Sequence, residues 1–439
     1  MSLLESDLGE GRRWARVGDC YEVTRKPRSL DVTGLETIPF AAMEAIPAGG
    51  AYRPAFTMRL LSNIKSGTYF ERGDVLVAKI TPSFENGKQA LVLDLPTAFG
   101  YATTEVIPLH PRDELHDPRF LFFYLLHPDI RHHLAERMEG STGRQRVPEA
   151  VLLDLPIPEL SLEEQTEIAS ALEAIQASSA AEARCLEVGQ ELEHAAMIAL
   201  FTRGLRGEPQ QETEIGPVPE SWNVVSLASV RQWLQYGTSA RCTYEQSRYP
   251  VLRIPNIEPG HVSTLDLKFA ALSDAEAEGY RLENGDLIFI RTNGVIERLG
   301  ACAVFAGDPH GALFASYLIR ARLHLDRIDP HFAAHFLSSE IGTRLVAGRA
   351  TPAADGKYNL NTGTIDSLPL PLPPTLDEQR EIVAVLDAID QKIDLHRRKR
   401  AVLDDLFKSL LHKLMTGEIR VSDLDLSALA PKRSEPAAA

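Results

Sequence analysis

The sequence repeats itself, and nothing else in it constrains the fold as strongly. Residues Leu155–Gln165 read LPIPELSLEEQ, and residues Leu368–Gln379 read LPLPLPPTLDEQ. Both run LPxP, then Ser or Thr, then L-[ED]-E-Q. The match continues through Glu167–Ile175 (EIASALEAI) and Glu381–Ile389 (EIVAVLDAI), 214 residues further on. Upstream, Arg72-Gly-Asp-Val-Leu-Val-Ala-Lys79 echoes Asn284-Gly-Asp-Leu-Ile-Phe-Ile-Arg291 at a separation of 212, and Asp117-Pro118 and Asp329-Pro330 keep that separation. Trp14 and Trp222 stand 208 apart. A period near half of the 439 residues is too long for a solenoid unit, so the chain reads as two similar domains in tandem.

Each half follows one plan. Its first 140 to 150 residues hold short apolar runs such as Val75–Ile80, Ala90–Leu93, Leu287–Ile290 and Ala301–Phe305, punctuated by Asn86-Gly87, Asn284-Gly285 and Asn293-Gly294. Turns between short β-rich runs predict a mixed domain with considerable strand content. A helical piece opening on proline follows, near 118–138 and 330–345. A long helix closes each half. Ser161 and Thr375 are N-cap candidates, each with a Glu three residues on (Glu164, Glu378) that would complete a capping box. From Ile382 the spacing runs Leu386, Ile389, Ile393, then after a polar gap Leu403, Phe407, Leu410 and Leu414, a coiled-coil seam interrupted at His396 and Arg400. The first helix offers Ile168, Leu172, Ile175, Leu186, Leu192, Ala196 and Leu200, and Gly207 and Gly417 are the expected C-terminal stops.

A helix of some 42 residues is not stable by propensity alone and needs an apolar partner along its stripe. The chain has two such helices. Packed about a two-fold they run antiparallel, and the expected architecture is a dumbbell with a rigid spacer. The fold class is therefore α+β: two mixed α/β domains separated by two long antiparallel coiled-coil helices, as a pseudo-two-fold tandem repeat. The expected boundaries are 1–158 for the first domain, 159–206 for the first long helix and 207–220 for a linker. The second domain takes 221–373, the second long helix 374–416, and a tail 417–439 with a disordered end.

Composition bears on the class of protein. Hydrophobic residues make up 44% and charged residues 24%, which excludes whole-chain disorder. Cys20, Cys185, Cys242 and Cys302 form no C-x-x-C pair, which argues against zinc ribbons and thioredoxin-like motifs and fits a reducing cytosol. The opening residues lack a basic region followed by an apolar one, so no signal peptide is expected, and the longest apolar run, Phe120–Leu126, is too short to cross a bilayer. A cytoplasmic protein without membrane association is the expectation. The net charge of −15 by itself argues against nucleic-acid binding. However, residues 151–215 hold 13 acidic against 3 basic residues, while residues 1–150 and 216–366 each carry only −2. Two thirds of the acid surplus thus lies on the first long helix and its linker, a candidate surface for partners.

The order of a globular domain, LPxP-L-x-E-Q, a long helix, and then all of it again resembles the specificity subunit of type I restriction–modification systems. Gly140-Ser-Thr-Gly-Arg-Gln-Arg-Val-Pro148, Tyr236-Gly-Thr-Ser-Ala240 and Leu411-His-Lys-Leu-Met-Thr-Gly-Glu-Ile-Arg420 add to the resemblance, which covers roughly residues 12 to 420. It implies that each globular domain is a target-recognition domain reading one half of a bipartite site in double-stranded DNA. It implies two methyltransferase (modification) subunits as partners, carrying S-adenosylmethionine and methylating adenine. Restriction/translocase subunits using ATP and Mg would join them. This chain would hold no cofactor, catalytic residue or metal of its own. The rival readings are a detached specificity region of a fused restriction–modification enzyme and a coiled-coil scaffold unrelated to DNA.

Enzyme motifs are missing: no G-x-x-x-x-G-K-[ST], H-E-x-x-H or G-x-S-x-G, and no N-P-P-[YF] or D-P-P-[YF]. The strongest DNA-contact candidates are Ser141, Thr142, Arg144, Gln145 and Arg146, since glycines allow close backbone approach, Arg can fork onto guanine and Gln can pair with adenine. The positional counterpart in the second half supplies Lys357, Tyr358 and Asn359. Lys79 and Arg291 close equivalent strands, and Asn293 follows in a polar turn. Thr238, Ser239, Arg241, Arg253 and Asn256 complete the set; Tyr236 could face DNA with them, and a core position is the preferred reading for it. The Glu-Gln pairs are read as helix caps and the basic run His396–Arg400 as a solvated helix face. Because DNA half-sites recur at about 34–36 Å per turn, helix length should set the spacer between them. A four-residue insertion in one long helix should change the spacer but not the half-sites, as mapping of methylated adenines would show; an unchanged spacer refutes the ruler.

Overall fold

The computed structural model describes residues 13–49, 54–141, 143–353 and 356–425. The chain forms two compact units that do not follow its serial order: Met1–Arg184 joins Arg397–Ala439, and Cys185–His396 forms the other. Both long helices, Leu162–Arg203 and Leu376–Thr416, are therefore shared between units. At 42 and 41 residues they extend about 60 Å each at 1.5 Å per residue.

In the first unit, an antiparallel sheet is ordered Tyr21–Val23, Val106–Pro111, Val75–Ala78, Gln89–Leu91. A second sheet, Thr57–Leu60, Thr37–Ala41, Phe99–Ala102, Thr68–Glu71, mixes parallel and antiparallel pairings. The helices Pro118–Tyr124 and Pro128–Ala135 cover the first sheet with an apolar run, Phe120–Leu125, that is wholly buried. This core continues into the start of the first long helix through Ile168, Leu172 and Ile175. It also takes in Leu410, Leu411, Leu414 and Met415 from the end of the second. Ser179 Oγ donates to Asp404 at 2.6 Å and Lys399 Nζ lies 3.8 Å from Glu182, so the two segments run antiparallel within this unit.

The second unit repeats the plan. Arg231–Tyr236, Leu318–Leu323, Leu287–Ile290 and Cys302–Val304 stand in the same order as their counterparts and extend into Gly260–Val262 and Ile257–Glu258. A three-stranded sheet, Lys268–Ala270, Tyr249–Leu252, Leu313–Phe314, packs beside them. Met197 and Phe201 meet Ile382 and Leu386 in the core under Pro330–Ser338. Here the seam departs from the expected one: Leu192 is 56% exposed, and Met197 and Phe201 take the buried positions. A side chain at Gly189 would come within 2.9 Å of Ile393 Cγ1, so the second helix packs against the first where the sequence has no side chain. The stop of the first helix is likewise Gly204 rather than Gly207, since the helix ends at Arg203 and Gly204 takes φ +63°.

The repeated motifs are repeated fastenings. Asp74 and Asp286, buried after the Gly-Asp turns, accept the backbone N–H of Glu71 and Glu283, each at 2.8 Å. Asp117 and Asp329 cap the proline-led helices by accepting from Arg119 N and His331 N. The LPxP segments are strands: Pro156–Pro158 pairs with Trp14–Arg16, and Pro369–Leu372 with Asn223–Ser226. The Glu and Gln of the E-Q motif divide the labour. Ser161 and Glu164 form the full capping box, but Glu378 instead accepts from Trp222 Nε1 at 3.1 Å while Thr375 alone caps. The glutamines are not caps. Buried Gln165 accepts from Asp117 N at 3.0 Å and donates to Leu115 O, and buried Gln379 accepts from Asp329 N at 2.8 Å and donates to Arg327 O. Each pins the start of a long helix to the start of the domain's proline-led helix.

Two stability predictions follow from these contacts. Gln165→Leu strands a buried N–H at Asp117, and Gln379→Leu does so at Asp329. Each should lower stability by about 1–3 kcal/mol in denaturant titrations. The second concerns His127, whose imidazole burial pushes down to about 4. The unfolded chain protonates near 6.5, so it binds more protons than the folded one between these values. Stability should therefore fall as pH drops from about 6.5 to about 4 and then level off with respect to this group. The melting-temperature slope over that window should be shallower in His127→Asn.

Candidate nucleic-acid interface

In the first unit the central strand Val75–Ala78 delivers Lys79 to the sheet edge, half-buried. The backbone carbonyl of Lys79 accepts from Val147 N at 2.8 Å, and Thr81 N donates to Gln145 O at 3.0 Å. These bonds hold the hairpin Glu139–Ser141/Arg144–Arg146, in which Ser141 faces Arg144 and Gly140 faces Gln145. Gly140 has φ +126°, and a Cβ there would lie 2.7 Å from Arg144 O, so only glycine closes this turn. Ser141, Arg144 and Arg146 are exposed and Gln145 is half-buried. Thr142 lies outside the described residues. Arg146 binds Glu105 with two parallel bonds, Nε to Oε2 at 2.8 Å and Nη2 to Oε1 at 2.7 Å. Those bonds hold the Glu105 carboxyl below its usual range. The guanidinium of Arg146 is thus oriented by a carboxylate, while Arg144 projects from the hairpin's turn.

The second unit uses the same attachment for a different surface. Leu360 N donates to the carbonyl of Arg291 at 2.7 Å, the counterpart of the Val147–Lys79 bond. Thr292–Asn293 pairs with Tyr358–Asn359, which pairs in turn with Thr351–Pro352. The Arg291 guanidinium lies 4.8 Å from the centre of the Tyr236 ring, and its Nη1 donates to Ser316 O at 3.2 Å. Tyr236 is 37% exposed rather than core, its hydroxyl accepting from Thr362 N at 3.2 Å. A side chain at Gly237 would stand 2.2 Å from Ala315 O, so the Tyr236-Gly237 pair is set by a close backbone approach. Thr238 is buried and bridges to Ala315, whereas Ser239, Arg241 and Lys357 are exposed.

The structure therefore gathers Lys79 with Ser141, Arg144, Gln145 and Arg146 in one unit, and Arg291 and Asn293 with Tyr236, Thr238, Tyr358 and Asn359 in the other. Arg253 and Asn256 have different duties. Arg253 Nη2 pairs with Asp266 Oδ2 at 2.9 Å. Asn256 is fully buried, donating to Ser263 O and Leu265 O and accepting from Arg253 N. Its amide is spent inside the fold, which gives it a turn-holding role. Two residues escaped the sequence reading: Glu105, which orients Arg146, and Tyr317, 60% exposed, whose carbonyl accepts from Arg291 N at 3.1 Å. Neither stands in a repeated motif. Arg400 of the basic run lies 3.8 Å from Asp404. Among the described residues, no helix is long and apolar enough to cross a membrane.

The family pattern described as type I restriction modification DNA specificity domain matches residues 14–188 and again 219–404. The chain belongs to that family. The specificity subunit of the type I restriction enzyme EcoKI of Escherichia coli K12 is 29% identical over 279 residues, covering 61% of this chain and 58% of that subunit. The MjaVIII specificity subunit of Methanocaldococcus jannaschii is 24% identical over 331 residues, 74% of this chain and 76% of its own. The MjaX subunit of the same organism matches over 48% of its length, so the matched stretch spans about half of two of these relatives. Among solved structures, the type I restriction–modification S subunit from M. genitalium superposes with a TM-score of 0.55 at 15% identity, over 94% of this chain and 99% of that one. A chain from a type I R-M assembly gives 0.53 at 20% identity, over 93% and 98%. At these identities the structural likeness speaks for the fold. It agrees with two mixed α/β domains, each continued by a long helix.

Proposed function

We propose that this specificity-domain protein is the DNA-reading subunit of a type I restriction–modification complex, each domain reading one half of a bipartite target. The observation that carries this reading is the paired surface at the ends of the two central strands. In both units a cation, Lys79 or Arg291, closes the strand and its carbonyl anchors an extended segment rich in groups able to address base edges. Arg and Gln are the groups that match guanine and adenine in the major groove. One frame presents different side chains in its two copies, as two unlike half-sites require.

The subunit carries no chemistry of its own. S-adenosylmethionine, ATP and Mg belong to partners: two methyltransferase subunits, and restriction/translocase subunits beside them, in the cytoplasm. The reading domains are near neutral, so affinity for DNA leans on those partners' phosphate contacts and falls with salt. Neither the detached-region reading nor the scaffold unrelated to DNA gains support from any contact in the fold.

The test is half-site selectivity in the reconstituted complex. Arg144→Ala should relax specificity in one half-site only, and Arg291→Ala in the other. Each should weaken methylation of the cognate site by about 1–3 kcal/mol, on the order of 10- to 100-fold. Loss spread evenly over both halves, or wild-type complex indifferent to sequence, refutes the assignment.

A further inference from the structure

Glu105 and Tyr317 occupy one structural position in the two units. Lys79 N donates to Glu105 O at 2.9 Å, and Arg291 N donates to Tyr317 O at 3.1 Å. Each residue stands immediately before the strand that pairs with the central strand, Val106–Pro111 in the first unit and Leu318–Leu323 in the second. The register is the same in both, Ala78 facing Val106 and Ile290 facing Leu318. The backbone at this position is therefore fixed beside the strand-closing cation, while the side chain changes from a carboxylate to a phenol.

In the first unit that side chain reaches across to the hairpin. Glu105 accepts from Arg146 Nε at 2.8 Å and from Nη2 at 2.7 Å. Two parallel bonds fix both the direction and the plane of the guanidinium. They occupy one edge of it and leave the Nη1 hydrogens and the second Nη2 hydrogen as a fork pointing away from the carboxylate. The Arg146 side chain is still 45% exposed, so this outer fork is open to a ligand. In the second unit the cation is held otherwise, Arg291 bonding Ser316 O and lying over the Tyr236 ring. Tyr317 is not needed for that task, and its side chain is 60% exposed.

We infer that this shared position sets base preference in each domain: Glu105 is a positioning residue that dedicates Arg146 to one guanine of the first half-site, and Tyr317 contacts a base of the second. The inference rests on the DNA-reading function proposed above. The outer fork of Arg146 matches the O6 and N7 acceptors of guanine, whereas adenine sets its N6 donor against that fork. A phosphate is the poorer ligand, because its charge would stand close to the carboxylate that already balances the guanidinium. Tyr317 offers an apolar ring face, of the kind that packs on a thymine methyl.

The experiment uses the full-length chain reconstituted with its methyltransferase partners and scores methylation over a DNA library randomised in both half-sites. The wild type should require guanine at one position of the first half-site, and Arg146→Ala should abolish that requirement. Glu105→Ala should weaken it roughly 10- to 100-fold, the discrimination of one bidentate contact, and leave the other positions unchanged. In the Arg146→Ala background, Glu105→Ala should add nothing, which a merely structural role would not produce. Glu105→Gln, which keeps the side chain's length and removes its charge, should show a weaker loss at the same position, and it carries the test if the alanine variant does not fold. Tyr317→Ala should alter one position of the second half-site and none of the first. A selective wild type whose profile is unchanged by the Glu105 variants or by Tyr317→Ala overturns this inference alone. So does a base other than guanine at the position that depends on Arg146, or a further loss in the double variant. A wild-type complex indifferent to sequence overturns the DNA-reading function with it.

Discussion

A helix of more than forty residues is the constraint on which the rest depends. Alone in water it has no reason to persist, because nucleation is costly and propensity adds little per residue. Here the remedy lies inside each compact unit, where the first half of one long helix packs against the second half of the other. The seam is not uniform. Ile168, Leu172 and Ile175 meet Leu410, Leu411 and Leu414, while the other unit closes on Met197, Phe201, Ile382 and Leu386. Because each unit draws its helix segments from both repeats, neither repeat completes its core alone. Duplication here supplies the missing partner helix as well as a second globular domain.

The second requirement is that each domain keep a fixed orientation on its helix, and the buried glutamine of the E-Q motif provides it. A glutamine amide offers both a donor and an acceptor, which suits a site where the first N–H of a capped helix and a nearby carbonyl must both be satisfied. Gln165 and Gln379 do this with the same pair of backbone groups, at Asp117/Leu115 and Asp329/Arg327. Glutamate at these positions would set a carboxylate against the Leu115 or Arg327 carbonyl; leucine would leave the N–H bare. The neighbouring Glu is free to vary in role, and it does: Glu164 completes a capping box and Glu378 receives the indole of Trp222.

Much of this was legible in the sequence because fastenings that serve a repeated backbone recur at a repeated spacing. The Gly-Asp turns, the Asp-Pro helix starts and the E-Q motif each appeared twice, and each proved to be a local hydrogen-bonded device. The candidate interface was legible in part. Lys79 and Arg291 stood out by position, and the hairpin around Arg144 by its glycines, but Glu105 and Tyr317 gave no signal since their partners are distant in sequence. Asn256 looked like an exposed polar residue until its amide was seen closing a buried turn. The helix register was misread at Leu192. In the second unit Met197 and Phe201 are the buried positions of the first long helix, with Ala196 and Leu200 packed beside them and Leu192 left exposed.

The two candidate surfaces also show how one scaffold carries unlike side chains. The bond shared by both units is made by backbone alone: the carbonyl of Lys79 or Arg291 accepts an N–H from the returning segment. No side chain takes part, so residues on either side can change without loosening the anchor. The first unit uses that freedom for a two-stranded hairpin with Arg146 steered by Glu105. The second builds a three-stranded ribbon and turns its cation onto the ring of Tyr236. A backbone anchor beneath a variable surface lets the side chains differ without altering the fold. The repeats are therefore most alike where their Asp and Gln residues hold backbone, and least alike where side chains face outward.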